Sequence, residues 1–351
     1  MSQPVAANSL LVPAEALITW ASACLCAVQM PDDDARELAT ALVQTNLWGI
    51  DSHGIARLTH YLERMRRGSI LARPVMEEQR TGPCTALLHG GQGQGHVVAF
   101  RANRLAMAMA RESGIGAVGV TDSSHCGAIG LYTREAARAG LVGIAFTHAD
   151  SVAVPHGGLR PFFGTNPIAI AFPRQGAEPV CLDMATTSIP MNRVMNAKRE
   201  GHPLPPDVAV DAQGQATTDA QAAVAVTPLG GAQYGHKGYA LALMVDLLCG
   251  PLMGNAYGRQ LSSMYGDLDA PRRLGAFFIV IDPARFGGPL LPAIVAQMAA
   301  DLVAEPGSPR MPGDPERDHE TERRASGIPV EPELLAEMRR WSAQLGVAAP
   351  A

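Results

Sequence analysis

The sequence predicts an α/β protein, and three observations carry that reading. From residue 84 onward, short apolar runs of strand length alternate with stretches of helical composition, as a layered α/β fold requires. Before residue 80 the chain reads as helix alone. Its 351 residues, 47% hydrophobic and 17% charged, suffice for two or three packed parts with a buried core.

Taken in order, residues 13–30 have helix-forming composition. Asp32, Asp33 and Asp34 follow Pro31, where acidic side chains favour the start of a second helix that runs to Trp48. A third helix is expected over 55–67 and ends at Gly68. Arg64, Arg66 and Arg67 then complement its dipole. Strands are expected at 85–88, 116–120, 142–146, 168–172, 179–182 and 277–281. Helices are expected at 96–113, 131–139, 190–199 and 237–248, with a closing helix at 331–345 after a Pro-, Gly- and charge-rich stretch over 305–332.

A net charge of −5 gives no nucleic-acid footprint. The six cysteines form no CxxC pair and no His/Cys metal spacing, which suits a reducing compartment and predicts no metal. No basic n-region leads into an apolar run at the N-terminus, and the run at 240–248 is far shorter than the roughly 20 residues of a membrane span. A soluble, cytoplasmic protein is expected.

Gly90-Gly91-Gln92-Gly93-Gln94-Gly95 lies between a strand and a helix, as a dinucleotide-binding loop does. His96 stands where the third glycine of GxGxxG belongs, and no acidic residue closes a second strand at the usual distance. The stretch therefore reads as a turn that opens a helix.

Three histidine-centred stretches can do chemistry. In Asp51-Ser52-His53-Gly54, His53 would sit at the edge of a helix on which Arg57 and Tyr61, four apart, share a face. Such an arginine can hold a carboxylate; alternatively, Ser52 caps the helix and Arg57 is a solvated charge. Thr121-Asp122-Ser123-Ser124-His125-Cys126-Gly127 follows an apolar strand, and His125 there can move a proton to or from an alcohol, or can simply be exposed in a turn. Lys237 in Gly235-His236-Lys237-Gly238 would stand at a helix start, ready for an anion or merely solvated.

Six segments in order, DSHGIAR (51–57), SHCG (124–127), FGTNP (163–167), LDMATT (182–187), GHKGY (235–239) and MPG (311–313), resemble the malate/L-lactate dehydrogenase family that is distinct from the Rossmann-fold enzymes. Ureidoglycolate, sulfolactate and diketogulonate dehydrogenases and cyclic-imine reductases belong to it. Residues 258–268, GRQLSSMYGDL, are most similar to the ureidoglycolate dehydrogenase branch, from which Ala149, His156 and Ala240 depart. The resemblance implies a family-specific, non-Rossmann α/β fold with a mixed sheet, NAD or NADP as cofactor, and a homodimer. It implies a cofactor-binding domain at 122–296, and a helical dimerisation and substrate part from 1–121 with 297–351. Asp183, Met184, Ala185, Lys237, Gly313 and Asp314 would line the cofactor site. His53 and His125 match the acid/base histidines, His125 being favoured as proton carrier, and Ser52, Arg57 and Tyr61 would bind substrate. The implied reaction is hydride transfer between nicotinamide and C2 of a small 2-hydroxy or 2-keto acid of ureidoglycolate, malate or lactate type. Reduction of a cyclic imine or N-methyl amino acid precursor, and a non-catalytic binding protein, are the alternatives.

Overall fold

The computed structural model of the chain describes residues 9–288 and 290–350. In chain order its elements are β1 (Leu10–Val12), α1 (Ala14–Ala27), α2 (Asp32–Leu47), α3 (Leu58–Arg66), β2 (Glu77–Arg80), β3 (Thr85–His89), α4 (Gly95–Ser113), β4 (Ile115–Ser123), α5 (Gly130–Arg138), β5 (Val142–Thr147), β6 (Ile168–Phe172), β7 (Val180–Met184), α6 (Met191–Glu200), β8 (Ala209–Val210), β9 (Ala225–Val226), α7 (Gly231–Cys249), β10 (Leu274–Ile281), α8 (Leu291–Ala304), α9 (Asp314–Ser326), β11 (Ile328–Val330) and α10 (Pro332–Leu345). The reading of the extreme N-terminus as free of a leader falls partly on residues 1–8, outside the described residues.

Seven strands form one mixed sheet in the order β2-β3-β4-β10-β5-β6-β7. β3 and β4 run parallel, and the other neighbours antiparallel. Period-2 alternation turns Phe278 and Val280 of β10 into the sheet core, where they meet Val98, Ala102 and Ala106 of α4. Tyr132 of α5 packs edge-on against Phe100 and Phe278 at centroid distances of 4.8 and 5.6 Å. Each such large side chain, fully buried, contributes about 1.5–3 kcal/mol. A smaller cluster joins Val194 of α6 to Ala209 and Val226 of the β8-β9 pair.

A second core is built from both chain ends. Leu17 and Trp20 of α1, Leu38 and Leu42 of α2 and Leu62 of α3 pack with Ile328, Val330, Met338 and Trp341. β1 pairs antiparallel with β11, and Trp20 Nε1 donates to Ser342 Oγ at 2.8 Å. The helical part thus depends on contacts more than 300 residues apart.

Several expectations are corrected. Sheet does occur before residue 80. β1 is only three residues long, and β2, Glu-Glu-Gln-Arg, is exposed throughout at the sheet edge, so neither has the apolar alternation that marks a strand. The stretch at 305–332 is not merely a linker: it contains α9 and β11. The third helix is preceded by two 3₁₀ turns, Asp51–His53 and Ile55–Arg57, so His53 lies on a separate turn from α3. α7 begins at Gly231, following the left-handed Gly230, and Lys237 is its seventh residue, not a helix start. Four glycines in ten residues had argued against helix there. Arg64 does not cap a dipole from the surface. It is 1% exposed, and its guanidinium donates to the carbonyls of Ser263, Met264, Asp267, Leu268 and Ala270.

Candidate active site

The 51–57 segment is held rigidly before it does anything else. Asn46 of α2 receives the Ile55 N–H at 2.7 Å and donates to Asp51 at 2.5 Å. Arg323 of α9 grips both oxygens of Asp51, at 2.7 and 2.9 Å. A side chain at Gly54 would place its Cβ 2.2 Å from Asn46 Oδ1, so that turn requires glycine. Ser52 does not cap a helix; its Oγ pairs with His53 Nδ1 at 2.9 Å. Arg57 donates through Nε to Ser52 O at 2.5 Å and through Nη1 to Tyr265 Oη.

His125 lies two residues beyond β4, on a loop clamped from below by the glycine-rich stretch. Gly95 N donates to Ser124 Oγ at 2.8 Å, and Ser124 Oγ donates to Gly93 O at 3.0 Å. A Cβ on Gly95 would fall 2.3 Å from Ser124 O and 2.4 Å from His125 O. The glycines that imitate a nucleotide loop therefore serve close backbone approach under His125.

These two segments meet. Tyr61 Oη lies 2.6 Å from His125 Nδ1, and the His53 and His125 rings stack with centroids 5.6 Å apart. Gly127 N approaches the same Nδ1 at 3.3 Å, so Nε2 is the ring nitrogen left for a ligand. Ser52, His53, Arg57, Tyr61 and His125 are thus one constellation. Burial, then the charges of His53 and Arg57, hold His125 well below the usual histidine range. Burial and Arg57 push His53 down to about 3. Both rings are neutral at neutral pH, the form in which a histidine can accept a proton.

The cofactor residues divide. Asp183, near the end of β7, accepts from Gly130 N at 2.8 Å and so ties β7 to the loop that carries His125. Burial raises its carboxyl to about 6, against the lowering effect of the Gly130 amide and Arg134. Met184 and Ala185 follow it, half-buried. Gly313 sits on the same side, with φ of 100°; a Cβ there would approach Pro179 O, Arg134 Nη2 and Cys181 N within 3.3–3.4 Å. Asp314 is engaged by Met311 N and by Arg317, so it shapes the loop. Glu316 Oε2 and Arg174 Nε are buried there without a hydrogen-bond partner among the described residues. Orphaned acceptors and donors beside a close-packed glycine loop fit a ligand rich in hydroxyl and phosphate oxygens, as a nicotinamide dinucleotide is. Lys237 is exposed, with its ammonium 5.5 Å from the Tyr234 ring, and no described contact joins it to either group. Among the described residues, no three His, Cys, Asp or Glu side chains group as a metal centre would need.

The malate/L-lactate dehydrogenase family model matches residues 12–339. The chain belongs to the malate/L-lactate dehydrogenase family. A ureidoglycolate dehydrogenase (NAD(+)) of Escherichia coli (strain K12) is 40% identical over 262 residues, which cover 75% of this chain and 74% of that protein. A (2R)-3-sulfolactate dehydrogenase (NADP(+)) of Chromohalobacter salexigens is 36% identical over 327 residues, covering 92% and 96%. In three dimensions, the malate dehydrogenase of Entamoeba histolytica matches with a TM-score of 0.92 at 28% identity, covering 98% of this chain and 100% of that one.

Three residues of this family member's site escaped the sequence. His96 is wholly buried, 5.8 Å from the Tyr61 ring, with Nδ1 facing Gln94 and Nε2 unpartnered. Its only sequence signal was that it broke a glycine motif. Tyr265 and Arg272 lie in the 258–273 stretch, where nothing in the spacing singles out either one.

Proposed function

We propose that the chain interconverts a small 2-hydroxy acid and its 2-keto form, using NAD or NADP. The observation that carries this reading is the 2.6 Å contact of Tyr61 Oη with His125 Nδ1, which fixes the ring and leaves Nε2 free beside Arg57. When bound, the nicotinamide accepts hydride from C2 in oxidation and returns it in reduction. Arg57 takes the substrate carboxylate through Nη2, which makes no hydrogen bond among the described residues. His125 Nε2 takes the hydroxyl proton. The tautomer competent to do so carries its own proton on Nδ1 and donates it to Tyr61 Oη, a phenol oxygen able to accept. The incoming carboxylate raises the proton affinity of the depressed imidazole, which favours that transfer. His53, oriented by Ser52, presents its second nitrogen to the same space. Asp183, Met184, Ala185, Lys237, Gly313 and Asp314 hold the cofactor in this reading, on a domain spanning 122–296.

A homodimer completes the proposal. α8 is apolar over most of its length, yet only Ala299 is buried, while Ile294 and Met298 are each 59% exposed. α7 likewise exposes Leu241, Met244 and Leu247. Exposed apolar helices of this extent call for a partner surface, and a second copy supplies an equivalent one. No helix of the described residues is long and apolar enough to cross a membrane. The six free cysteines suit the cytoplasm.

The test is a panel read by nicotinamide absorbance. NADH and NADPH are offered with 2-keto acids and with a pyruvate–methylamine mixture, and NAD and NADP with ureidoglycolate, malate and lactate. Turnover of a hydroxy/keto acid pair is expected. Turnover only with the amine mixture would make the chain an imine reductase.

A further inference from the structure

We infer that Arg272 is a second substrate-recognising guanidinium, and that the substrate is a 2-hydroxy acid carrying a second oxygen-acceptor group, a carboxylate, sulfonate or carbamoyl, at its other end. The inference rests on the dehydrogenase reading above and narrows its substrate class.

Arg272 is 3% exposed, and one edge of its guanidinium is used: Nη2 donates to Asp150 Oδ1 at 2.8 Å. Its Nε and Nη1 are buried and have no partner among the described residues. Buried N–H groups are almost always paired, because an unpaired one forfeits its hydration without return. The same fold shows what a purely structural buried arginine does. Arg64, 1% exposed, uses its guanidinium on five backbone carbonyls and on His60. Arg272 has been given no such set of acceptors.

Its position is set by the strand register. β10 and β4 are antiparallel, and their pairing reaches Leu274 opposite Ser123. Two residues further along, the same register sets Arg272 across from His125. Its charge is felt at His60, Tyr61 and His125, where it helps lower both histidines. Asp150, its partner, accepts from Met264 N through the other oxygen at 3.1 Å, and Met264 Sδ lies 4.0 Å from Arg57 Nη1. Arg57 and Arg272 therefore flank the Met264 segment on the His125 side, as two cationic donors with different duties. Arg57 holds the carboxylate next to the reacting carbon. The free N–H groups of Arg272 await acceptors that a one-headed acid such as lactate does not have. Asp150 already balances one charge, so a neutral carbamoyl oxygen can serve as well as an anion.

The experiment compares kcat/KM of the wild-type chain, with its preferred reduced nicotinamide, for oxaloacetate, sulfopyruvate, oxalurate and pyruvate. A site built to hydrogen-bond a group rejects analogues that lack it, so at least one two-headed acid should exceed pyruvate by about 10²-fold or more. The identity of that acid distinguishes the carboxylate, sulfonate and carbamoyl sources. Arg272→Met should then lower kcat/KM for the preferred acid by about 10- to 100-fold, chiefly through KM, and leave pyruvate within about threefold. Pyruvate reduced as efficiently as the two-headed acids overturns the inference, and this arm needs no variant. An Arg272→Met effect equal on all substrates makes the residue structural and overturns it too. Silence with every keto acid, pyruvate included, removes the dehydrogenase reading itself, a separate result.

Discussion

Burial sets the protonation states on which the chemistry depends. His53 at about 3 and His125 well below the usual range are neutral, with Arg57 adding to the desolvation that lowers each. Arg57 has its Nε and Nη1 positions committed to Ser52 and Tyr265, so its remaining donors present a fixed direction to a carboxylate. Arg57→Ala should reduce kcat/KM by about 10- to 100-fold, the worth of a charge-assisted hydrogen bond of about 1.5–3 kcal/mol. Steady-state kinetics on the preferred acid checks this, and an unchanged kcat/KM removes the carboxylate clamp. His53, Arg57, Tyr61 and His125 were legible in the sequence because each belongs to a short polar stretch at the end of an apolar element. Arg64, Arg272 and Tyr265 were not. Their roles come from partners remote in the chain, such as the Met264 carbonyl 200 residues from Arg64, and a lone arginine in a loop carries no spacing signal.

Among the elements, the central strands and the helices that cover them were readable, since β3 to β7 and β10 are apolar runs bounded by turns. β2 was not, because an edge strand buries no face and needs no alternation. α7 was read too short because its first turns are glycine-rich; Gly238 instead lets the helix approach Leu229, whose backbone N would lie 2.4 Å from a Cβ there. α8 was missed outright, although it is the most exposed apolar helix of the fold. Ile294 and Met298, four apart, lie on one of its faces. The double change Ile294→Asp with Met298→Asp should convert a dimer to a monomer in sedimentation velocity, with far-UV circular dichroism retained. A wild-type chain that sediments as a monomer at micromolar concentration contradicts the proposed dimer.

The whole molecule pays for its neutral histidines at low pH. His53 and His96 are lowered from 6.5 to about 3, and His60 to about 4, each chiefly by burial. The unfolded chain therefore binds more protons between those values and 6.5. The stability these groups support is complete above pH 6.5 and is lost as pH falls through the folded values. Asp183, raised to about 6, has the opposite sign: its burial penalty is relieved as pH drops below 6. Three histidines outweigh one carboxylate, so the thermal midpoint should fall between pH 7 and pH 5. A rising midpoint over that interval would show that these rings are not neutral in the folded state.

The central claim is that His125 carries the proton while the other residues bind and orient. The direct measurement is kcat for hydroxy-acid oxidation by His125→Ala, alongside cofactor binding followed by nicotinamide fluorescence. Binding should persist while kcat falls by at least about 10², the lower bound for a positioned acid/base group. A variant that binds cofactor and turns over at nearly the wild-type rate would contradict the account and pass the role to His53.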